Sequence, residues 1–81
     1  MAGKARGRKS IFITGAASGI GRATAKLFSS KGWFVGAMDV DTNGLSTLAQ
    51  ELGNDNVFTR KLDVTDKKDY EAASAEFAAE T

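Results

Sequence analysis

Thr14-Gly15-Ala16-Ala17-Ser18-Gly19-Ile20-Gly21 is the stretch whose residue types and spacing could do chemistry. It follows a short apolar run, Ile11-Phe12-Ile13, and opens an amphipathic segment beginning at Arg22. Strand, glycine-rich turn and helix in that order make an anion site. The first N–H groups of a helix have no internal partner, and the helix dipole adds partial positive charge there. A phosphate satisfies both if the backbone can approach it closely, and glycines remove the Cβ atoms that would stand in the way. Gly15 lets the strand end in a tight turn. Gly19 and Gly21 keep that turn thin and let the helix lie against the strand.

The spacing is G-x-x-x-G-x-G, which differs from the G-x-G-x-x-G of the general dinucleotide fingerprint. It is not a P-loop either, because Ile20 and Gly21 stand where Gly-Lys would be needed. With Thr14, the pattern T-G-x-x-x-G-I-G closely resembles the cofactor loop of the short-chain dehydrogenase/reductase family. The plain alternative is a structural strand-to-helix turn. The flanking strand and helix favour cofactor binding, with Gly15, Ser18, Gly19, Ile20 and Gly21 as the loop positions concerned.

Two carboxylates extend the constellation. Asp39 lies 18 residues beyond Gly21, at the end of a second apolar run. A carboxylate there can accept from both ribose hydroxyls of an adenosine and would repel a 2′-phosphate, which favours NAD over NADP. NADP users of the family often carry a basic residue just before the second glycine or just after the second strand. Here those positions are Ser18 and Val40. Leu62-Asp63-Val64-Thr65 also resembles the family. The resemblance implies that Asp63 accepts from the adenine amino group and that the Val64 backbone helps hold the ring. Val40 is expected to pack against the adenine face. Arg22 either faces the pyrophosphate or is a solvated helix position.

These residues need elements to position them. The first strand is expected over residues 10–14. A helix follows over about 19–31, with Ile20, Ala23, Thr24, Leu27 and Phe28 as its buried stripe and Arg22, Lys26 and Ser30 on the other side. Gly32 supplies the stop. Residues 33–39 read as the second strand. The second helix runs from about Asn43 to Leu52, capped by Asp41 or Thr42 and ended by Gly53. The third strand covers 57–62. The third helix starts near Asp66, with Thr65 as N-cap, Asp66 and Asp69 complementing the dipole, and Tyr70, Ala73, Phe77 and Ala78 along one face. The order β-α-β-α-β-α with short connections implies α/β architecture: a Rossmann-type three-layer fold on a parallel sheet. The resemblance implies the strand order 3-2-1. Ligands of such sheets bind beyond the carboxyl ends of the strands, where the glycine loop, Asp39 and Asp63 converge.

Composition bounds the rest. The 81 residues allow one small domain with a modest core. There is no cysteine and no histidine, so neither a disulfide framework nor a metal site is expected, and the commonest general base is missing. No apolar run approaches membrane-spanning length, and no apolar segment of a secretory signal follows the basic start. A cytoplasmic protein is the expectation. The net charge of +1 is uneven. Lys4, Arg6, Arg8 and Lys9 are four of the eleven basic residues, and the remainder carries seven basic against ten acidic side chains. Residues 1–9 read as a flexible basic leader rather than a nucleic-acid arm, and 10–81 as the N-terminal part of an NAD-binding domain.

The resemblance covers nearly all of residues 10–81, roughly the first third of a family domain. It implies a hydride transfer between nicotinamide and an alcohol or carbonyl carbon, using a tyrosine and a lysine four residues apart on a later helix. No such pair is present: Tyr70 is followed at the fourth position by Ser74. The expected catalytic set in this chain is therefore empty. The expected partners are the dinucleotide and either further copies of the chain or the remainder of a longer one, because a first strand without a fourth would leave an apolar edge. The competing reading is a non-catalytic half-Rossmann module that binds nucleotide or self-assembles.

Overall fold

The computed structural model describes residues 7–81. The elements are β1 (Ser10–Thr14), α1 (Gly19–Ser30), β2 (Phe34–Asp39), α2 (Thr42–Leu52), β3 (Val57–Lys61) and α3 (Lys67–Glu80), with a 3-10 turn at Asn54–Asn56. The three strands form one parallel sheet in the order β1-β2-β3, the expected 3-2-1 arrangement. Thr14 pairs with Met38 and Asp39 with Lys61, so all three carboxyl ends finish at one level.

Period-two alternation splits the core in two. Ile11, Ile13, Val35, Ala37 and Val57 face α1 and α2, meeting Ala25, Phe28, Leu45, Leu48 and Leu52. Phe12, Phe34, Met38 and Phe58 face α3, meeting Ala73 and Phe77 together with Leu62 from just beyond β3. The result is three layers. The central strand is covered on both faces, which is why Phe34–Met38 is an unbroken buried run. The Phe77 ring lies parallel to Phe34, centroids 5.9 Å apart, and packs so tightly over Gly36 that a Cβ there would stand 2.6 Å from it.

Helix α1 ends in a Schellman turn. The Trp33 N–H donates to Phe28 O and the Gly32 N–H to Ser29 O, and the Trp33 ring packs on Phe28 with centroids 4.9 Å apart. The leader expected over residues 1–9 lies outside the described residues up to Arg6. At its far end, Arg8 donates to Asn56 Oδ1 at 3.0 Å and Asp55 O at 2.8 Å. Lys9 O accepts the Phe34 N–H, and the Lys9 ammonium lies 5.6 Å from the centre of the Trp33 ring.

Several expectations need correction. The buried side of α1 is not the Ile20–Leu27 stripe: Ile20 is 87% exposed, Leu27 53%, and Ala23 is also exposed. Ala25 is buried, with Gly21 and Phe28 partly so; of the expected apolar positions only Phe28 packs against the core. The two stripes differ by a one-residue step, about 100° of helix rotation, and contact at Gly21 decides between them. A Cβ on Gly21 would overlap Gly15 O and stand 2.7 Å from its carbonyl carbon, so the bare face of Gly21 must be the one against the turn. Arg22 consequently does not point away: its guanidinium reaches Glu51 of α2 at 2.8 Å, and Lys26 joins the same carboxylate at 3.0 Å. Thr65 is not the cap of α3. Asp66 is, its carboxylate accepting the Lys68 and Asp69 N–H groups. A carboxylate beside the positive helix end outcompetes a hydroxyl one residue earlier. At α2, Asp41 caps by accepting the Gly44 N–H at 2.9 Å, and Thr42 is already helical. Helix α1 stops at Ser30 rather than Lys31 and β2 begins at Phe34 rather than Trp33, because the Schellman turn takes up Lys31–Trp33; β3 ends at Lys61 rather than Leu62, whose N–H makes the last bond to β2, at Asp39 O.

Candidate functional site

The turn between β1 and α1 is open on its outer side. Gly15 and Gly19 have φ of +66° and +58°, a region other residues rarely adopt, and a Cβ on either would meet nothing within 4 Å. Backbone is therefore laid bare at these two positions. Ser18 is the N-cap of α1 in extended conformation and makes no side-chain capping bond. Ser18, Gly19 and Ile20 are all exposed, at the end of a helix that carries its orphan N–H groups.

Two bonds moor this turn to β2. The Ala16 N–H donates to Met38 O and the Ala17 N–H to Asp39 Oδ2, each at 3.0 Å. The other oxygen of Asp39 accepts the Asp41 N–H at 3.0 Å. The Asp41 N–H, and after it the Ala17 N–H, holds the Asp39 carboxyl below its ordinary value against the opposing effect of partial burial. Asp39 is thus an ionised acceptor. Each of its oxygens has a second lone pair, so both could still take a hydroxyl donor. Sequence spacing indicates the carboxylate but not its bond to Ala17, which ties the anion-binding turn and the carboxylate into one unit.

The third strand joins the same unit through the Leu62 N–H, which donates to Asp39 O at 3.1 Å. Asp63 and Val64 follow on the exposed connection to α3. Asp63 Oδ1 accepts from the Thr65 hydroxyl at 2.6 Å and the Thr65 N–H at 2.9 Å. Those donors, the hydroxyl first, keep its carboxyl below the ordinary value. Val40 and Val64, which close the two strand exits, are each 58% exposed, an unusual state for valine. The expected loop residues, Asp39, Val40, Asp63 and Val64 all lie at the carboxyl end of the sheet. Arg22 does not join them, since it bridges Glu51 and Gly44 O.

One participant escapes sequence reasoning. Asp69, expected only to complement the α3 dipole, accepts the Asp63 N–H on Oδ2 at 3.0 Å and the Arg60 guanidinium on Oδ1 at 2.8 Å. The six-residue separation from Asp63 fits no capping rule, so no local signal marks it. Tyr70 packs against Phe12 with ring centroids 5.7 Å apart and is 43% exposed, a helix-face residue as expected. Among the described residues no group of three or more acidic, histidine or cysteine side chains could hold a metal ion, and no helix is long and apolar enough to cross a membrane.

The chain is similar to known proteins over most of its length. The family model described as short chain dehydrogenase matches residues 9–81. D-threitol dehydrogenase of Mycolicibacterium smegmatis is 40% identical over 74 residues, covering 89% of this chain and 28% of that protein. A short chain dehydrogenase/reductase from Burkholderia phymatum, solved in complex with NAD, superposes with a TM-score of 0.82 at 32% identity, covering 90% of this chain and 27% of that one. An alcohol dehydrogenase from the archaeon Thermococcus sibiricus, solved with 5-hydroxy-NADP, gives a TM-score of 0.79 at 30% identity, covering 85% and 31%. The chain spans about a quarter of the length of the curated relatives it matches.

Proposed function

Because the chain belongs to the short-chain dehydrogenase family, as the match over residues 9–81 establishes, we propose that it forms the adenosine- and pyrophosphate-holding part of a nicotinamide-dependent oxidoreductase, and that it takes NAD in preference to NADP. The observation that carries the reading is the Ala17–Asp39 bond, which couples an open helix N-terminus to an ionised carboxylate. Gly15, Ser18, Gly19, Ile20 and Gly21 would receive the pyrophosphate on backbone N–H groups. Asp39 would accept from the ribose hydroxyls, with Val40 and Val64 flanking the adenine and Asp63 accepting from its amino group. The open space beside Gly15 and Gly19 and the two exposed valines fit such a ligand.

When bound, the cofactor supplies hydride exchange at its nicotinamide. The residues of this chain bind and orient its other half. Relatives are solved with NAD and with an NADP derivative, so the preference rests on Asp39, whose charge would oppose a 2′-phosphate. The complete activity proposed is hydride transfer to or from an alcohol or carbonyl carbon. It would need residues outside this chain, in a longer polypeptide or a partner. Among the described residues β1 pairs on one side only, with β2, which supports either a continuing sheet or a homo-oligomer.

Titration calorimetry with NAD and NADP, on the parent and on Asp39→Ala, tests the reading. Tighter binding of NAD in the parent, with the gap closing in the variant, is the expected result. Equal affinities in the parent would remove the specificity claim, and binding of neither would remove the cofactor claim.

A further inference from the structure

We propose that Asp69 is a positioning residue for adenine recognition, acting through Asp63. The inference rests on the adenine role proposed for Asp63. Two consecutive peptides at the exit of β3 are held by side chains of α3 and β3. From α3, Asp69 Oδ2 accepts the Asp63 N–H at 3.0 Å. From β3, Arg60 donates to Asp69 Oδ1 and to Lys61 O, each at 2.8 Å, while its Nε reaches Glu76 at 3.0 Å. Asp66 fixes the first turn of α3 by accepting the N–H of Asp69 itself. Asp63 therefore has its backbone set by Asp69 and its carboxylate set by Thr65.

The chemistry of Asp69 suits this task. A carboxylate only accepts, and here its two oxygens receive two donors that approach from different elements. An amide of the same shape keeps one acceptor and turns its NH2 group toward a donor. Asp69→Asn should therefore release one arm with little change in volume, and the Asp63 side chain should lose its fixed aim at a ligand's amino group.

The test measures NAD against its purine analogue, in which hydrogen replaces the 6-amino group, by calorimetry on the parent and Asp69→Asn. The parent should prefer NAD by about tenfold, the worth of one hydrogen bond to a charged acceptor. In the variant NAD should weaken by a similar factor while the analogue stays within about twofold. Arg60→Lys, which keeps the charge but loses the fork, should show the same pattern more weakly and serves if the first variant does not fold. Hydrogen exchange at the Asp63 amide should accelerate in Asp69→Asn without ligand. Equal weakening of both ligands, or no change in either, would overturn the proposal and leave the cofactor reading standing. A parent that does not distinguish the ligands would overturn Asp63's adenine role along with it. A parent that binds neither would overturn the cofactor reading as well.

Discussion

At the scale of single residues, one missing atom and three ionised groups govern the site. Gly21 has no room for a side chain, so Gly21→Ala should force the turn and α1 apart. The expected cost is about 1–3 kcal/mol, as for other overpacked contacts, read as a lower urea midpoint. Asp39, Asp63 and Asp69 all titrate below the ordinary aspartate value in the folded chain. The unfolded chain therefore binds more protons in that range, and stability rises with pH through it. The contribution is in place above the ordinary aspartate value, about 3.9, and is lost as pH falls through the lower native values. Thermal melting between pH 6 and pH 2.5 should show this loss, with a shallower fall in Asp69→Asn. Asp39 was legible because a fixed distance from the glycine turn marks it. Its bond to Ala17 and the grip of Asp69 on Asp63 were not, because both are made across the fold by side chains whose local surroundings suggest other tasks.

At the scale of elements, the strands were legible to within one residue, since the apolar runs of β1 and β2, and Val57-Phe58 directly after the Asn-Asp-Asn turn, leave little choice. The rotation of α1 was not. Ile20, Ala23 and Leu27 outweigh Gly21 and Ala25 in apolar content, yet closeness of backbone rather than hydrophobicity turns the helix. Leu27→Gln should accordingly cost less than about 0.5 kcal/mol, whereas Leu48→Ala, in a fully buried position, should cost about 2–5 kcal/mol. Denaturant titration of the two variants checks the assignment. The cap of α3 separates as cleanly. Asp66→Ala should lose about 0.5–2 kcal/mol of stability. Thr65→Ala should spare the helix and act on Asp63, its bonding partner, so that its effect appears in cofactor affinity.

At the scale of the whole molecule, the sheet has two edges of different composition. Among the described residues β1 and β3 each pair with β2 alone; β3 carries Thr59, Arg60 and Lys61, while β1 carries Ile11, Phe12 and Ile13. Ile20 and Leu27 are exposed on the adjoining helix. The 81-residue chain should therefore associate as its concentration rises, and sedimentation velocity over a hundredfold range would reveal it. A single sedimenting species of monomer mass throughout would count against that expectation. The same polarity of the sheet has an optical consequence. Trp33, the one indole in the sequence, is fixed against Phe28 and Lys9 at the amino-terminal end of β2. Asp39 closes the other end, about 17 Å from Phe34 by strand geometry. Intrinsic emission should therefore shift when the chain unfolds and its ring neighbours disperse, yet keep its wavelength when a ligand settles at the far end. The chain carries a built-in fluorophore whose wavelength reports its integrity and not its occupancy.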